Sequence, residues 1–171
     1  MTYNICSKEL LDLYNIHLNF NYKGKVIVDI GADIGTTAEF FLLNGAKSVW
    51  CVEGDPIAGE QCKKNMDKYF PGKSSTIIEM VTTPYSMERI LSILGPSGDQ
   101  KANLIKIDIE GWENVLLDIE DRIISEQKEF IIDYHSGLLG ILLKEKLIKS
   151  GFKIIDDVNG EVIHAVKKEN A

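Results

Sequence analysis

Two short stretches concentrate residues that could move a proton. "KIDIEGWE" holds Asp108, Glu110 and Glu113, and "FIIDYHSG" holds Asp133 and His135. An imidazole ionises near neutral pH, so His135 with carboxylates nearby could take the proton of a reacting hydroxyl. Asp108 and Glu110 fall on the same side of an extended stretch. Asp108 is expected to line the reacting end of a bound cofactor, with Glu110 and His135 facing the acceptor. His135 could equally be a loop histidine satisfied by hydrogen bonds, and Glu110 a solvated acid at a helix entry. Asp108, Glu110 and Asp133 could also offer oxygens to Mg2+, but their spacing forms no recognised all-protein cage, and no metal ligand is assigned. Trp112 could stack on a substrate ring, although core packing is the expected role. His17 and His164 have no acidic companions in sequence and read as structural.

A second chemistry lies earlier, in "KVIVDIGADIGTTAEFF". Gly31 and Gly35 permit a sharp turn and close approach of a ligand, and the helix that follows aims free N–H groups at it. A pyrophosphate fingerprint would read G-x-G-x-x-G, but Ala32 and Asp33 stand where the middle glycine belongs. Asp29 would repel a pyrophosphate. It suits a ligand carrying a cation, and S-adenosylmethionine has an ammonium and a sulfonium beside a carboxylate that a helix N-terminus can hold. The next apolar run ends at Glu53 in "SVWCVEGDP", where an acid accepts from both hydroxyls of a ribose. Glu53 therefore fixes an adenosine, and Asp29 with the two glycines separates the methyl donor from NAD.

The residues expected around this cofactor are Asp29, Gly31, Ala32, Asp33 and Gly35 in the first turn. Glu53, Gly54 and Asp55 follow the second strand, Thr83 the third, and Asp108 the fourth. "EMVTTPYSMERI" lacks the acid that often accepts from an adenine amino group, so a threonine hydroxyl or backbone group would replace it.

Elements must bring these stretches together. β-branched runs at Lys25–Ile30, Ser48–Val52, Thr76–Val81, Asn103–Asp108 and Phe130–Tyr134 alternate with helical spacing at Thr36–Asn44, Pro56–Tyr69, Pro84–Leu94, Trp112–Ser125 and Leu138–Ser150. That alternation predicts a doubly wound α/β sheet with helices on both faces and ligands at the strand carboxyl ends. "GFKIIDDVNGEVIHAVKK" breaks the rhythm. Asn159-Gly160 between apolar runs predicts a hairpin, hence an antiparallel last strand. Ser7–Phe20 reads as one amphipathic helix capped by Ser7. No linker or repeat appears, so one domain is expected, with residues 1–24 as helix and lead-in and 25–171 as the catalytic body.

Composition narrows the partners. The 171 residues are 44% hydrophobic, enough for one sizeable core, and 19 Lys+Arg against 26 Asp+Glu give a net charge of -7. No basic block offers a hold on a phosphate backbone, so nucleic acid is disfavoured. Cys6, Cys51 and Cys62 show no metal or disulfide spacing, and Cys51 reads as core. The N-terminus carries no signal-peptide pattern and no run reaches membrane-spanning length, so a cytoplasmic protein is expected.

"VIVDIGADIGTTAEFFLLNGAKSVWCVEGDP", "LIKIDIEGWE", "FIIDYHSG" and "LIKSGFKI" resemble, in order and spacing, the FkbM-type class I methyltransferases. The resemblance runs from about Lys25 to the chain end. It implies a Rossmann-like, seven-stranded, mostly parallel sheet with an antiparallel last strand, S-adenosylmethionine as donor, and a hydroxyl oxygen as the usual acceptor. A small molecule or sugar is the expected substrate. Methylation of nitrogen in a protein or RNA, or a cofactor-binding module without catalysis, are the alternatives. The chain departs from the family at Asp33, Gly54, Trp112 and Asp133. Only one helix is expected before Lys25, so either the pocket is open or a second subunit of a homodimer covers it.

Overall fold

A computed structural model describes residues 20–96, 101–158 and 160–168. The expected helix over Ser7–Phe20 lies outside the described residues except for Phe20, as do Cys6, His17 and Asn159.

Seven strands form one sheet: β1 (Val26–Ile30), β2 (Ser48–Glu53), β3 (Ser74–Ile78), β4 (Leu104–Ile107), β5 (Glu129–Asp133), β6 (Phe152–Val158) and β7 (Val162–Lys167). Their order is β3-β2-β1-β4-β5-β7-β6. β1 to β5 pair in parallel, and β7 lies between β5 and β6, antiparallel to both. The hairpin joining β6 to β7 is therefore present as the sequence predicts. Strand order reverses between β1 and β4, and a crevice opens at such a switch point beyond the carboxyl ends.

Among the described residues five α-helices cover the sheet: α1 (Thr36–Leu43), α2 (Pro56–Tyr69), α3 (Pro84–Leu94), α4 (Asp121–Ser125) and α5 (Gly137–Lys149). The period of two along each strand divides the core. Val28, Ile30, Ile105, Ile107, Phe130 and Ile132 meet Met87, Ile90 and Leu91 of α3 and Leu143 and Leu147 of α5 on one face. Ile27, Val49, Cys51, Leu104 and Ile131 meet Phe40 and Phe41 of α1 and Cys62 and Met66 of α2 on the other. No helix among the described residues is long and apolar enough to cross a membrane.

Two expected elements differ. The third strand was expected over Thr76–Val81 and ends instead at Ile78, because its neighbour β2 ends at Glu53, directly opposite. Trp112–Ser125 has helical spacing but forms a 3-10 helix (Glu113–Asp118) followed by α4. Ile119 and Glu120 between them are extended, at ψ 145° and 133°. The Lys146 ammonium bonds the Ile119 carbonyl and pairs with Asp121 at 2.8 Å, so α5 supplies from outside what continuous helix would have supplied internally. Val115, Leu116, Ile119, Ile123 and Ile124 stay buried despite the break.

Candidate active site

The carboxyl edge carries two adjoining cavities. The first, about 630 Å³, opens beyond β1, β2 and the start of α1. Of the ten residues expected around the cofactor, seven line it: Gly31, Ala32, Asp33, Glu53, Gly54, Asp55 and Asp108. Glu110, expected to face the acceptor, lines it too, together with Thr36, Thr37, Met80, Thr82 and Trp112. Asp33, Glu53, Asp55, Glu79, Asp108 and Glu110 make its lining acidic, with no lysine, arginine or histidine among the lining residues.

Glu53 is the organising group. Its Oε2 accepts from Asp33 N–H at 2.7 Å and its Oε1 from Asp55 N–H at 2.8 Å. The carboxylate thus ties the β1 turn to the β2 turn, and each oxygen keeps lone-pair capacity for a further donor. Asp55 is the N-cap of α2, its Oδ1 accepting from Ile57 and Ala58 N–H.

The two turn glycines serve the protein's own packing. Gly31 has φ 79°, and a Cβ there would sit 1.7 Å from the Asp108 carbonyl oxygen. Gly35 has φ 97°, and a Cβ would meet Cys62 Sγ and Met66 Cε at 3.1 Å. Both need glycine because the carbonyl that follows β4 and helix α2 press against the turn, and Gly31 also borders the cavity. Gly35 does not line the cavity.

Asp29 and Thr83 also stand away from it. Asp29 is 0% exposed and lies beneath the turn, outside the cavity lining. Thr83 is spent as the N-cap of α3: its hydroxyl accepts from Ser86 N–H, and Ser86 Oγ accepts from Thr83 N–H in return. The neighbouring Thr82 reaches the cavity instead, and so does Glu79, an acid in the very stretch expected to lack one.

What Asp29 meets is Lys106, a fully buried lysine at the middle of β4 that sequence reading passed over. Its Nζ lies 3.2 Å from Asp29 Oδ1 and 3.4 Å from Asp108 Oδ2, and donates to the Gly31 carbonyl at 3.2 Å. Parallel pairing sets Asp29 opposite Lys106 on the same sheet face. Burial pushes the Asp29 carboxyl up to about 6 against the pull of Lys106. Burial alone would lower the Lys106 pKa, but Asp29, Asp108 and Asp133 outweigh it and hold it above the ordinary lysine value. A lysine inside an otherwise apolar run, "LIKI", was the available signal.

The second cavity, about 560 Å³, lies beyond β5 and shares Asp108 and Glu110 with the first as a common wall. Asp133 and His135 line it. The turn after β4 is closed by left-handed Glu110 (φ 53°) and Gly111 (φ 95°). Glu113 folds back into it, Oε1 accepting from Ile109 N–H at 2.9 Å and Gly111 N–H at 3.3 Å. His135 Nε2 stands 3.6 Å from Glu110 Oε2 and 3.9 Å from Asp108 Oδ1. The predicted trio of Asp108, Glu110 and His135 therefore converges, with one nitrogen or oxygen of each within 4.8 Å of the others.

The surroundings tune both titratable groups. Burial raises the Asp133 carboxyl to about 7, opposed by Lys106, and its Oδ2 has no hydrogen-bond partner among the described residues. Burial is the largest single influence on His135 and disfavours its imidazolium, but Glu113, Asp108 and Glu110 together outweigh it and raise its pKa above the ordinary value. Trp112 is 52% exposed on the rim of the first cavity, which corrects the expectation of core packing: Gly111 turns it outward before the 3-10 helix begins. His164 and Cys51 are buried as expected, His164 Nε2 meeting Glu129 Oε1 at 2.9 Å.

No family model and no curated protein matches the sequence. Solved structures do match in shape. The B. subtilis tRNA methyltransferase TrmK superposes with a TM-score of 0.65 at 17% identity, over 98% of this chain and 68% of that one. The ribosomal protein L11 methylase of Lactobacillus delbrueckii subsp. bulgaricus gives 0.64 at 17% identity, over 98% and 81%. The Methanococcus jannaschii fibrillarin pre-rRNA processing protein gives 0.59 at 16% identity, over 89% and 70%. Sheet order, antiparallel β7 and these superpositions together show that the chain has the Rossmann-like class I methyltransferase fold.

Proposed function

We propose that the protein is an S-adenosylmethionine-dependent methyltransferase that acts, in the manner of the FkbM type it resembles, on a hydroxyl oxygen of a small molecule or sugar. The observation that carries the cofactor is Glu53. A carboxylate pinned by two backbone N–H groups, with lone-pair capacity left on each oxygen, suits a pair of ribose hydroxyls. The cavity around it also fits. Six carboxylates line it, of which Glu79 pairs with Arg89 and Asp108 with Lys106, and the remaining negative charge favours a ligand bearing an ammonium and a sulfonium and opposes a pyrophosphate. Thr36 and Thr37, in the first turn of α1, offer hydroxyls and N–H groups to the methionyl carboxylate. Bound there, S-adenosylmethionine supplies an electrophilic methyl group.

The second cavity would hold the acceptor. An alcohol needs a base within reach of its proton, and His135 stands at the wall the cavities share. The net charge of -7 and the acidic linings favour a compact acceptor over the phosphate backbone of an RNA.

Calorimetry with S-adenosylmethionine, S-adenosylhomocysteine and NAD tests the reading. The first two are expected to bind and NAD is not; NAD binding alone overturns it. Glu53→Ala is expected to weaken the methyl donor by ~1.5–3 kcal/mol, the scale of a lost charged hydrogen bond. Formation of S-adenosylhomocysteine with a panel of sugar and small-alcohol acceptors then tests oxygen as the receiving atom.

A further inference from the structure

Glu113 is a completely buried carboxylate beside the second cavity. Its Oε1 is occupied by the backbone N–H groups of Ile109 and Gly111. Its Oε2 lies 3.4 Å from His135 Nδ1, in a long hydrogen bond. A buried carboxylate oxygen without a donor carries a heavy desolvation cost, so this contact favours the proton on Nδ1. The other ring nitrogen, Nε2, then carries its lone pair toward Asp108 and Glu110, the residues common to both cavities. His135 itself is 41% exposed, open to a ligand, while its partner is sealed from water.

We infer that Glu113 is a positioning residue: it accepts the Nδ1 proton of His135 and so presents Nε2 as the proton acceptor where the two cavities meet. The inference rests on the methyl-transfer reading. In that reaction the acceptor O–H bond breaks as an Nε2–H bond forms. The freed oxygen pair makes the new C–O bond, and the C–S pair returns to sulfur. Glu113 keeps its contact with Nδ1 throughout, and its carboxylate stabilises the imidazolium that results. The other charged groups facing the ring are Asp108 and Glu110 from the β4 turn and Asp133 from β5, with Glu161 lining the same cavity. All are carboxylates. Glu113 is the closest and the only one among them fully buried, so it has the largest hold on the ring.

Long-range proton–nitrogen correlation NMR on the full chain tests this. The sequence has three histidines, and His135→Gln identifies the His135 signals by their loss. The neutral ring of the unsubstituted protein is expected in the Nδ1–H form, titrating above the ordinary value of about 6.5. Glu113→Gln keeps an oxygen for the two backbone N–H groups; it is expected to move the midpoint to lower pH and admit the Nε2–H form. Glu110→Gln is expected to move the midpoint less and leave the tautomer unchanged. An Nε2–H ring in the unsubstituted protein, or an unmoved midpoint in Glu113→Gln, overturns the inference. The tautomer of the unsubstituted protein decides the matter even if Glu113→Gln does not fold. Because it is read without cofactor, its failure is separable from failure of S-adenosylmethionine to bind.

Discussion

The two halves of the carboxyl edge are built from different materials. Beyond β1 and β2 the groups are fixed in place: turn amides, a helix N-terminus, and an acidic lining organised by Glu53, whose oxygens are held by Asp33 and Asp55 N–H. Beyond β4 and β5 it is ionisable side chains, with Asp133 pushed to about 7 and His135 raised by surrounding acids. Fixed amides bind without changing state, whereas groups poised near neutrality can exchange a proton at little cost. Lys106 joins the halves from below, reaching Asp29 and Gly31 on one side and Asp108 on the other.

The sharpest way to break this contrast is His135→Ala. Turnover is expected to fall about 10²–10⁴-fold, the range of a general base, with methyl-donor affinity by calorimetry unchanged. A parallel loss of affinity would merge the two halves into one.

Removing the joint is expected to cost about 3–5 kcal/mol in urea unfolding, because Lys106→Met strands Asp29 as a buried charge. Adding Asp29→Asn should recover much of that loss. No recovery would mean that Lys106 acts chiefly through Gly31 and Asp108.

Asp133 gives a pH test. Its folded pKa, near 7, lies above the ordinary 3.8. Below the lower value it is protonated in both states and costs nothing; as pH rises from 3.8 through about 7 the unfolded chain ionises while the buried carboxyl resists, so stability falls across that window and the loss is complete above it. Asp133→Asn is therefore expected to raise the urea midpoint at pH 8 and leave it nearly unchanged at pH 4. An equal gain at both would remove ionisation as the cause.

The smallest effect sharpens the boundary of the binding half. Thr83→Ala is expected to cost ~1 kcal/mol of stability through the lost cap, with methyl-donor affinity untouched. A weakened affinity would return Thr83 to the cofactor's surroundings.

The fold was readable because its signals are local. Apolar runs bounded by turns located β1, β2, β4 and β5, and the apolar runs around Asn159-Gly160 predicted the β6–β7 pairing found. Glu53 was readable as well, since a strand end puts its last side chain at the sheet edge. Trp112–Ser125 misled for the same reason: periodicity reports which residues are buried and cannot see that Lys146, from α5, takes over the Ile119 carbonyl. Gly31 and Gly35 were found as special positions, but their neighbours, the Asp108 carbonyl and Cys62, come from β4 and α2.

By itself the sequence determined the order of the elements, the carboxyl edge as the place where the cavities open, and most of the residues around the first cavity. Each depends on spacing along a few neighbouring residues. Tertiary structure alone decided that Asp29 belongs to Lys106 and that Glu113 turns back to His135. Charge pairing and burial depend on strand register and on which turns meet at the edge, and those are set only when the whole sheet has formed.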